Sequence, residues 1–496
     1  MATTFVAVQK PLLAFVATAL LLLLAFARRV DGWRWLLALT ITLLVCASSN
    51  LESLVQASFY PRYAAVGALI VWGLCLPHRQ VARLDPWTRV FVGALWAMGG
   101  LATASVAWSI VPAETMQRGL ALLMLAALTH VLLRKRWGDR TTMMADLRVI
   151  YVVLSLSAVI SLGRGLTDGT LAASVGSSER FQGLYNNPNM LSIVCALTIP
   201  LGWAVYRHSR NRVELLGIAP AVACVTLSQS RTGFVAVLVG ALWVLLRHGL
   251  GPLARLAAGT SVALLVAYLF DLLPGIVGAA WTQRFVTRFT APVNGDLSNG
   301  RTEMWQTTVD LWWQNRPTLG YGYASRNHLF ELASYDEYFG VGAAGVSVVH
   351  NSYLQLLLEL GLTAVVPLVL LLLVAGRVLL RAPLRRANSG LVWLVGTGLL
   401  IQLTESAMFG TGQTYPYVFW FAVGAVLLHL PRDRQVAVSG RAEGTAQPVE
   451  GARPSDRARS AAADGARPAD VASRRPGTRT DAGADRPRAE ECHTTR

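Results

Sequence analysis

The chain has 496 residues, of which 53% are hydrophobic and 15% charged, whereas soluble domains carry about 25% charged residues. That composition excludes a soluble globular enzyme and points to a multi-pass membrane protein. Net charge is +16, yet the segment after Leu430 holds 13 arginines against 10 acids, so +13 resides in the first 430 residues. The tail is rich in Ala, Gly, Pro and Arg, has no interleaved aromatics, and reads as a solvated disordered segment without nucleic-acid binding.

Apolar runs near the roughly 20 residues needed to cross hydrocarbon fall at about 11–27, 35–49, 63–77, 89–109, 117–133, 147–163, 189–206, 213–229, 231–247, 255–273, 350–375, 389–408 and 415–430. These are about 12–13 transmembrane helices, and the fold class is an all-α polytopic membrane protein. The organisation expected is ten helices in 1–273, a large extracytoplasmic loop at 274–349, three helices in 350–430 and a disordered cytoplasmic tail at 431–496. The first run is followed by Arg28 and Arg29 without a small-residue cleavage pattern, so it reads as a retained helix. Cys46, Cys75, Cys195 and Cys224 lie inside apolar runs as small packing residues, and the eight histidines form no metal-ligand pattern.

Lys and Arg alternate between loops. Arg28, Arg29 and Arg34, then Arg79 and Arg83, then Arg134, Lys135, Arg136 and Arg140, then Arg207, Arg210 and Arg212, then Arg377, Arg381, Arg385 and Arg386 mark one side as cytoplasmic. The loop at 274–349 then faces outward, and Arg180, Arg231 and Arg301 fall on the outer side, where the charge rule does not account for them. In LSQSRTG, Ser228 and Ser230 stand beside Arg231 in a tight connection between two apolar runs. Arg231 reads either as an arginine snorkelling at a helix end or as an anion partner offering a bidentate fork to a phosphate.

Further signals come from three motifs. In RFQGLYNNPNML, Asn187–Pro188 is a turn signal, Asn189 is placed to cap the next helix, and Arg180 precedes the turn. In NGRTEMWQTTVDLWWQNRPTLGYG, Trp305, Val309 and Trp312 repeat at helical spacing and Pro317 ends the helix. Arg301 occupies its first turn, where it either meets an anion at the helix N-terminus or pairs with Glu303 or Asp310; Gly320 and Gly322 permit a tight turn. HNSYLQLLLELG at 350–361 places Asn351, Gln355 and Glu359 on one helix face, with His350 at its outer end. A polar stripe at membrane depth faces a wet interior, not lipid, and histidine exchanges protons near neutral pH. His350 is equally readable as an interfacial cap, and Gln402, Glu405 and Ser406 as buried polar residues that bond between helices.

With WSIVPAE at 108–114, these pieces in this order make residues 85–430 resemble the O-antigen ligase and O-antigen polymerase superfamily, a GT-C-like architecture more often built from about 12 spans. The resemblance implies a glycosyltransferase of the bacterial plasma (inner) membrane with an outward-facing active site. It would move a glycan from an undecaprenyl-diphosphate carrier to a glycan or lipid acceptor, with no metal or other cofactor. It implies His350, Arg231 and Arg301 as catalytic residues and Arg180, Asn351, Ser230 and Glu359 as substrate-binding residues. A polymerase of lipid-linked repeat units is the nearest alternative. A polysaccharide transporter or flippase is the alternative of another class, although no internal repeat is visible. The chain has only two lysines, Lys10 and Lys135; this Arg-dominated composition fits a GC-rich genome, so exopolysaccharide or capsule is as plausible an acceptor as lipopolysaccharide.

Overall fold

The computed structural model describes residues 31–76, 84–176, 180–249, 251–252, 283, 301–326, 328–329, 349–384, 388–410 and 412–445. The apolar runs expected at 11–27 and 255–273, most of the loop at 274–349 and the tail beyond residue 445 lie outside them. The chain divides into two units, Met1–Arg441 and Ala442–Arg496, and all that follows concerns the first. Its described residues are helical and contain no β-strand, as expected of an all-α membrane bundle.

Polar caps and prolines define where the helices start. Asp31 accepts from the Arg34 amide and opens α1 (Gly32–Cys46), and Asp85 accepts from the Trp87 amide ahead of Pro86 in α4 (Pro86–Ala104). Between them lie α2 (Glu52–Ser58) and α3 (Pro61–Cys75). Pro112 begins α5 (Pro112–Val131), and Asp139 caps α6 (Arg140–Thr167), which leads to the short α7 (Thr170–Gly176). Each such cap satisfies an N–H group that the helix itself leaves without a partner. Asn187 accepts from the Met190 amide with Pro188 at the first position of α8 (Pro188–Ser209). The cap expected at Asn189 is therefore made by Asn187, because the proline fixes the first helical residue at 188 and leaves Asn189 inside the first turn.

The run expected at 213–229 opens as a 3₁₀ segment, Arg212–Gly217, and continues as α9 (Ile218–Leu227). Only Ser228, Gln229 and Ser230 separate it from α10 (Arg231–Arg247). Beyond come α11 (Arg301–Asn315), α12 (Ser352–Leu360), α13 (Val365–Arg381), α14 (Asn388–Thr404) and α15 (Thr414–Thr445). Among the described residues five stretches are long and apolar enough to cross a membrane: Pro86–Ala107, Pro112–Arg136, Arg140–Thr167, Pro188–Ser209 and Ser352–Arg381. The last joins α12 to α13 through a 3₁₀ turn at Gly361–Ala364.

The most enclosed of the five is α8, which packs against α6, α9, α10 and α14. Without water to drive association, helices in lipid come together through close contact at small residues. A Cβ on Gly233 of α10 would lie 2.0 Å from Ser192 Oγ of α8. That contact seats the first turn of α10 directly against α8.

At one end of the bundle the carboxylate of Asp146, fully buried, accepts from Arg34 Nε at 3.2 Å, Arg136 Nε at 3.1 Å and Trp137 Nε1 at 3.1 Å. It ties α1, the end of α5 and α6 together. Removing one partner of such a group leaves buried charge uncompensated, a cost of roughly 3–5 kcal/mol. Asp146→Ala is accordingly expected to lower the thermal midpoint of the detergent-solubilised protein by several degrees; an unchanged midpoint would show that the network contributes nothing to stability.

Candidate active site

The three-residue connection between α9 and α10 determines where Arg231 sits. Gln229 takes a left-handed backbone with φ of +49°, and Ser230 is extended at the N-cap, which makes Arg231 the first residue of α10. Arg180 reaches the same place from the loop before α8. Its Nε donates to the Ser228 carbonyl at 3.0 Å and its terminal nitrogen to Asn189 Oδ1 at 2.6 Å. Arg301, first residue of α11, arrives from the opposite side and donates to the Thr404 carbonyl at 2.7 Å.

These three arginines line one cavity of about 400 Å³, together with Asn189, Ser230, Thr232 and Trp305 and an apolar wall that includes Val235, Leu400 and Leu403. Among the described residues lining it there is no acid. The N-terminus of α10 contributes Ser230, Arg231 and Thr232 to the wall, and a helix N-terminus carries a positive partial charge suited to anions. Guanidinium forks beside such an end, with a greasy flank, match a ligand that joins phosphate to hydrocarbon.

Behind the cavity lies the carboxylate of Glu405, just past the end of α14 and about 6% exposed. Its Oε1 accepts from Asn189 Nδ2 and from Arg301, both at 3.0 Å, and its Oε2 lies 3.0 Å from His350 Nδ1. An ionised carboxylate only accepts hydrogen bonds, so His350 donates through Nδ1 and keeps Nε2 for another partner. The closing carbonyls of α14 are satisfied by the same neighbours, since Asn351 Nδ2 donates to Leu403 at 3.1 Å and Arg301 to Thr404.

His350 itself has φ of +50°, a left-handed conformation that non-glycine residues seldom adopt. The residues around it hold it there. The Val349 carbonyl accepts from Trp305 Nε1, Asn351 Oδ1 caps α12 through the Tyr353 and Leu354 amides, and the Ser352 hydroxyl meets Gln402, the Glu405 carbonyl and the Ala407 and Met408 amides. Strain of this kind persists only where the surroundings over-determine it.

The PTLGYG segment serves a different end. The Tyr321 and Gly322 amides donate to the Leu358 and Glu359 carbonyls, and the Leu362 amide to Pro317, so the loop docks backbone to backbone on α12. A Cβ on Gly322, at φ of +96°, would lie 2.4 Å from Ser109 Oγ, and the Ile110 amide donates to the Tyr321 carbonyl. The glycines permit close approach of three chain segments, and WSIVPAE is the third of them. Burial pushes the Tyr321 phenol above its ordinary pKa, keeping it a neutral donor to the Leu311 carbonyl.

The structure therefore brings Arg180, Ser230, Arg231 and Arg301 together around one cavity, with His350 and Asn351 joined to them through Glu405 and the end of α14. Glu359 is not among the residues lining that cavity: it is fully buried, accepts from Gln355 Nε2 at 2.9 Å and lies against the PTLGYG loop. Arg301 pairs with Glu405, outside its own helix. Glu405 and Asn189 are the residues whose part in the site the sequence did not reveal. The available signal was a lone acid in the apolar run at 389–408. No three His, Cys, Asp or Glu side chains gather as a metal site among the described residues.

The Arg301–Glu405 contact lends itself to a double-mutant cycle. Arg301→Ala and Glu405→Ala are expected to couple by about 1–3 kcal/mol in unfolding free energy, while Arg301→Ala and Asp146→Ala add independently. Additivity in both pairs would mean that the ion pair is not formed.

Comparison with known sequences bears on the same segment. Residues 216–369 match the family model described as O-antigen ligase, a stretch that holds Arg231, Arg301 and His350 and stops short of Arg180 on one side and Glu405 on the other. No curated protein matches the chain. The likeness to O-antigen ligase thus rests on residues 216–369, about a third of the chain, set within an all-α bundle of membrane-length apolar helices.

Proposed function

We propose that the protein is a glycosyltransferase that moves a glycan from an undecaprenyl-diphosphate carrier to an acceptor hydroxyl at the outer face of the bacterial plasma membrane. The observation that carries this reading is the single cavity shared by Arg180, Arg231 and Arg301, coupled through Glu405 to His350.

The chemistry follows from the charges. The acceptor oxygen attacks the anomeric carbon while the bond from that carbon to the diphosphate oxygen breaks. Negative charge grows on the departing diphosphate, and fixed guanidinium donors in a site of low dielectric stabilise it where it develops. His350 takes the hydroxyl proton on Nε2 and becomes an imidazolium, which the Glu405 carboxylate steadies through Nδ1. Ser230 and the first turn of α10 add donors to the phosphate end of the cavity. Its apolar flank suits the first units of a polyprenyl chain. Asn351 acts by holding the backbone on which His350 sits, and Glu359 by holding the loop behind α12.

Purified full-length protein, supplied with an undecaprenyl-diphosphate glycan and an acceptor, is expected to form product with chelator present. His350→Ala should lower turnover by about 10²–10⁴-fold, the usual worth of a positioned acid or base. Arg231→Ala should weaken use of the donor, and Arg301→Lys should lose the bidentate fork and much of the rate. Unchanged transfer in both His350→Ala and Arg231→Ala would refute the assignment. When the acceptor is a second carrier-linked repeat, a ladder of products identifies a polymerase and a single addition a ligase. Topology reporters placed within 274–349 are expected to read as external.

A further inference from the structure

A second cavity lies far from the first, at the end of the bundle where α13 finishes. It occupies about 410 Å³ between α4 and α13 and is lined by Trp87, Val369, Leu373, Gly376, Arg377 and Arg381 among others, a size within the roughly 300–1,000 Å³ of ordinary ligand sites. The α12–α13 stretch begins beside His350 at Ser352 and ends at Arg381. α10 starts at Arg231 in the first cavity, and near its other end Trp243 and Arg247 donate to the Leu379 carbonyl of α13, about 20 Å further on at 1.5 Å per residue. The two cavities therefore lie toward opposite ends of α10.

The lining is divided by chemistry along the helix axis. Val369 and Leu373 are four residues apart and 45% and 56% exposed, so they form an apolar stripe open to the surroundings. Arg377 and Arg381 continue that stripe at the same spacing and end it with two positive charges. The Arg377 guanidinium stacks over the Trp87 ring at 4.7 Å, which fixes its direction, and a tryptophan at this depth is typical of the membrane–water interface. Between the charges and the stripe, a Cβ built on Gly376 meets no atom of the described residues within 4 Å. The groove is open at its middle.

We infer that this groove binds one anionic glycerophospholipid, with its phosphate on Arg377 and Arg381 and an acyl chain laid over Gly376 along Leu373 and Val369. Charge complementarity selects this occupant. A lipid of the adjacent leaflet presents a phosphate and a hydrocarbon chain in the order in which α13 presents arginines and leucines, and arginines near anionic headgroups add roughly five-fold in affinity each. The site is separate from the glycan-transfer cavity and does not depend on the reaction proposed there.

The test is native mass spectrometry of the full chain released from detergent after titration with phosphatidylglycerol or with phosphatidylcholine of identical acyl chains. The wild type is expected to retain one phosphatidylglycerol at least ten-fold more tightly than phosphatidylcholine. Arg377→Gln/Arg381→Gln should bring phosphatidylglycerol to the phosphatidylcholine level. Gly376→Leu, which fills the groove and leaves both arginines in place, should lower retention of phosphatidylglycerol with the charges intact. Equal retention of the two lipids by the wild type overturns the proposal. So does retention by Gly376→Leu equal to that of the wild type, whatever the arginine variant does.

Discussion

One buried carboxylate, that of Glu405, organises the candidate site. Its two oxygens receive Asn189 of α8, Arg301 of α11 and His350 ahead of α12, three groups that the chain delivers from separate directions. A carboxylate withdrawn from water is costly unless its acceptor capacity is filled, and here two charged or chargeable partners and an amide fill it. The same demand sets the geometry. To satisfy Glu405, α11 must lie against the end of α14, and the residues before α12 must turn back through a left-handed backbone. The arginine-lined cavity is the space these requirements leave between α10, α11 and α14.

Around that carboxylate the scaffold divides its labour. The α9–α10 turn and the contact of Gly233 with Ser192 fix Arg231, and Arg180 locks the turn by bonding the Ser228 carbonyl. On the far side, the PTLGYG loop holds α12 through main-chain hydrogen bonds and rests on Ser109 and Ile110. Asp146 does for the opposite end of the bundle what Glu405 does for this one, gathering Arg34 and Arg136 from different helices.

Much of this architecture could be read from residues near one another in the chain. Apolar runs gave most helices, because a span has to be continuously greasy, and Asp85–Pro86 and Asn187–Pro188 mark helix starts by local rules. Arg180, Arg231 and Arg301 stood out because the loop charge pattern left them unexplained. Glu405 did not, since its partners lie 55, 104 and 216 residues away and no spacing rule connects them. Asn189 was assigned to the wrong task for a related reason: either asparagine beside Pro188 can cap a helix, and only the fold shows which is needed elsewhere. Gly320 and Gly322 were legible as permissive residues, but what they approach, the backbone of α12 and Ser109, belongs to the tertiary structure.

The shared carboxylate also makes two chemical events answer to each other. Glu405 divides a single negative charge between Arg301 and His350. Under the proposed chemistry, the departing diphosphate draws on Arg301 at the moment when the imidazole gains its proton. The arginine's loosened hold leaves more of the carboxylate's charge for the new cation, so leaving-group departure and proton capture reinforce one another through Glu405. With the cavity empty, that charge stays engaged by Arg301. Under the proposed chemistry this coupling would favour activating the acceptor when a donor is in place, and so limit transfer of the glycan to water.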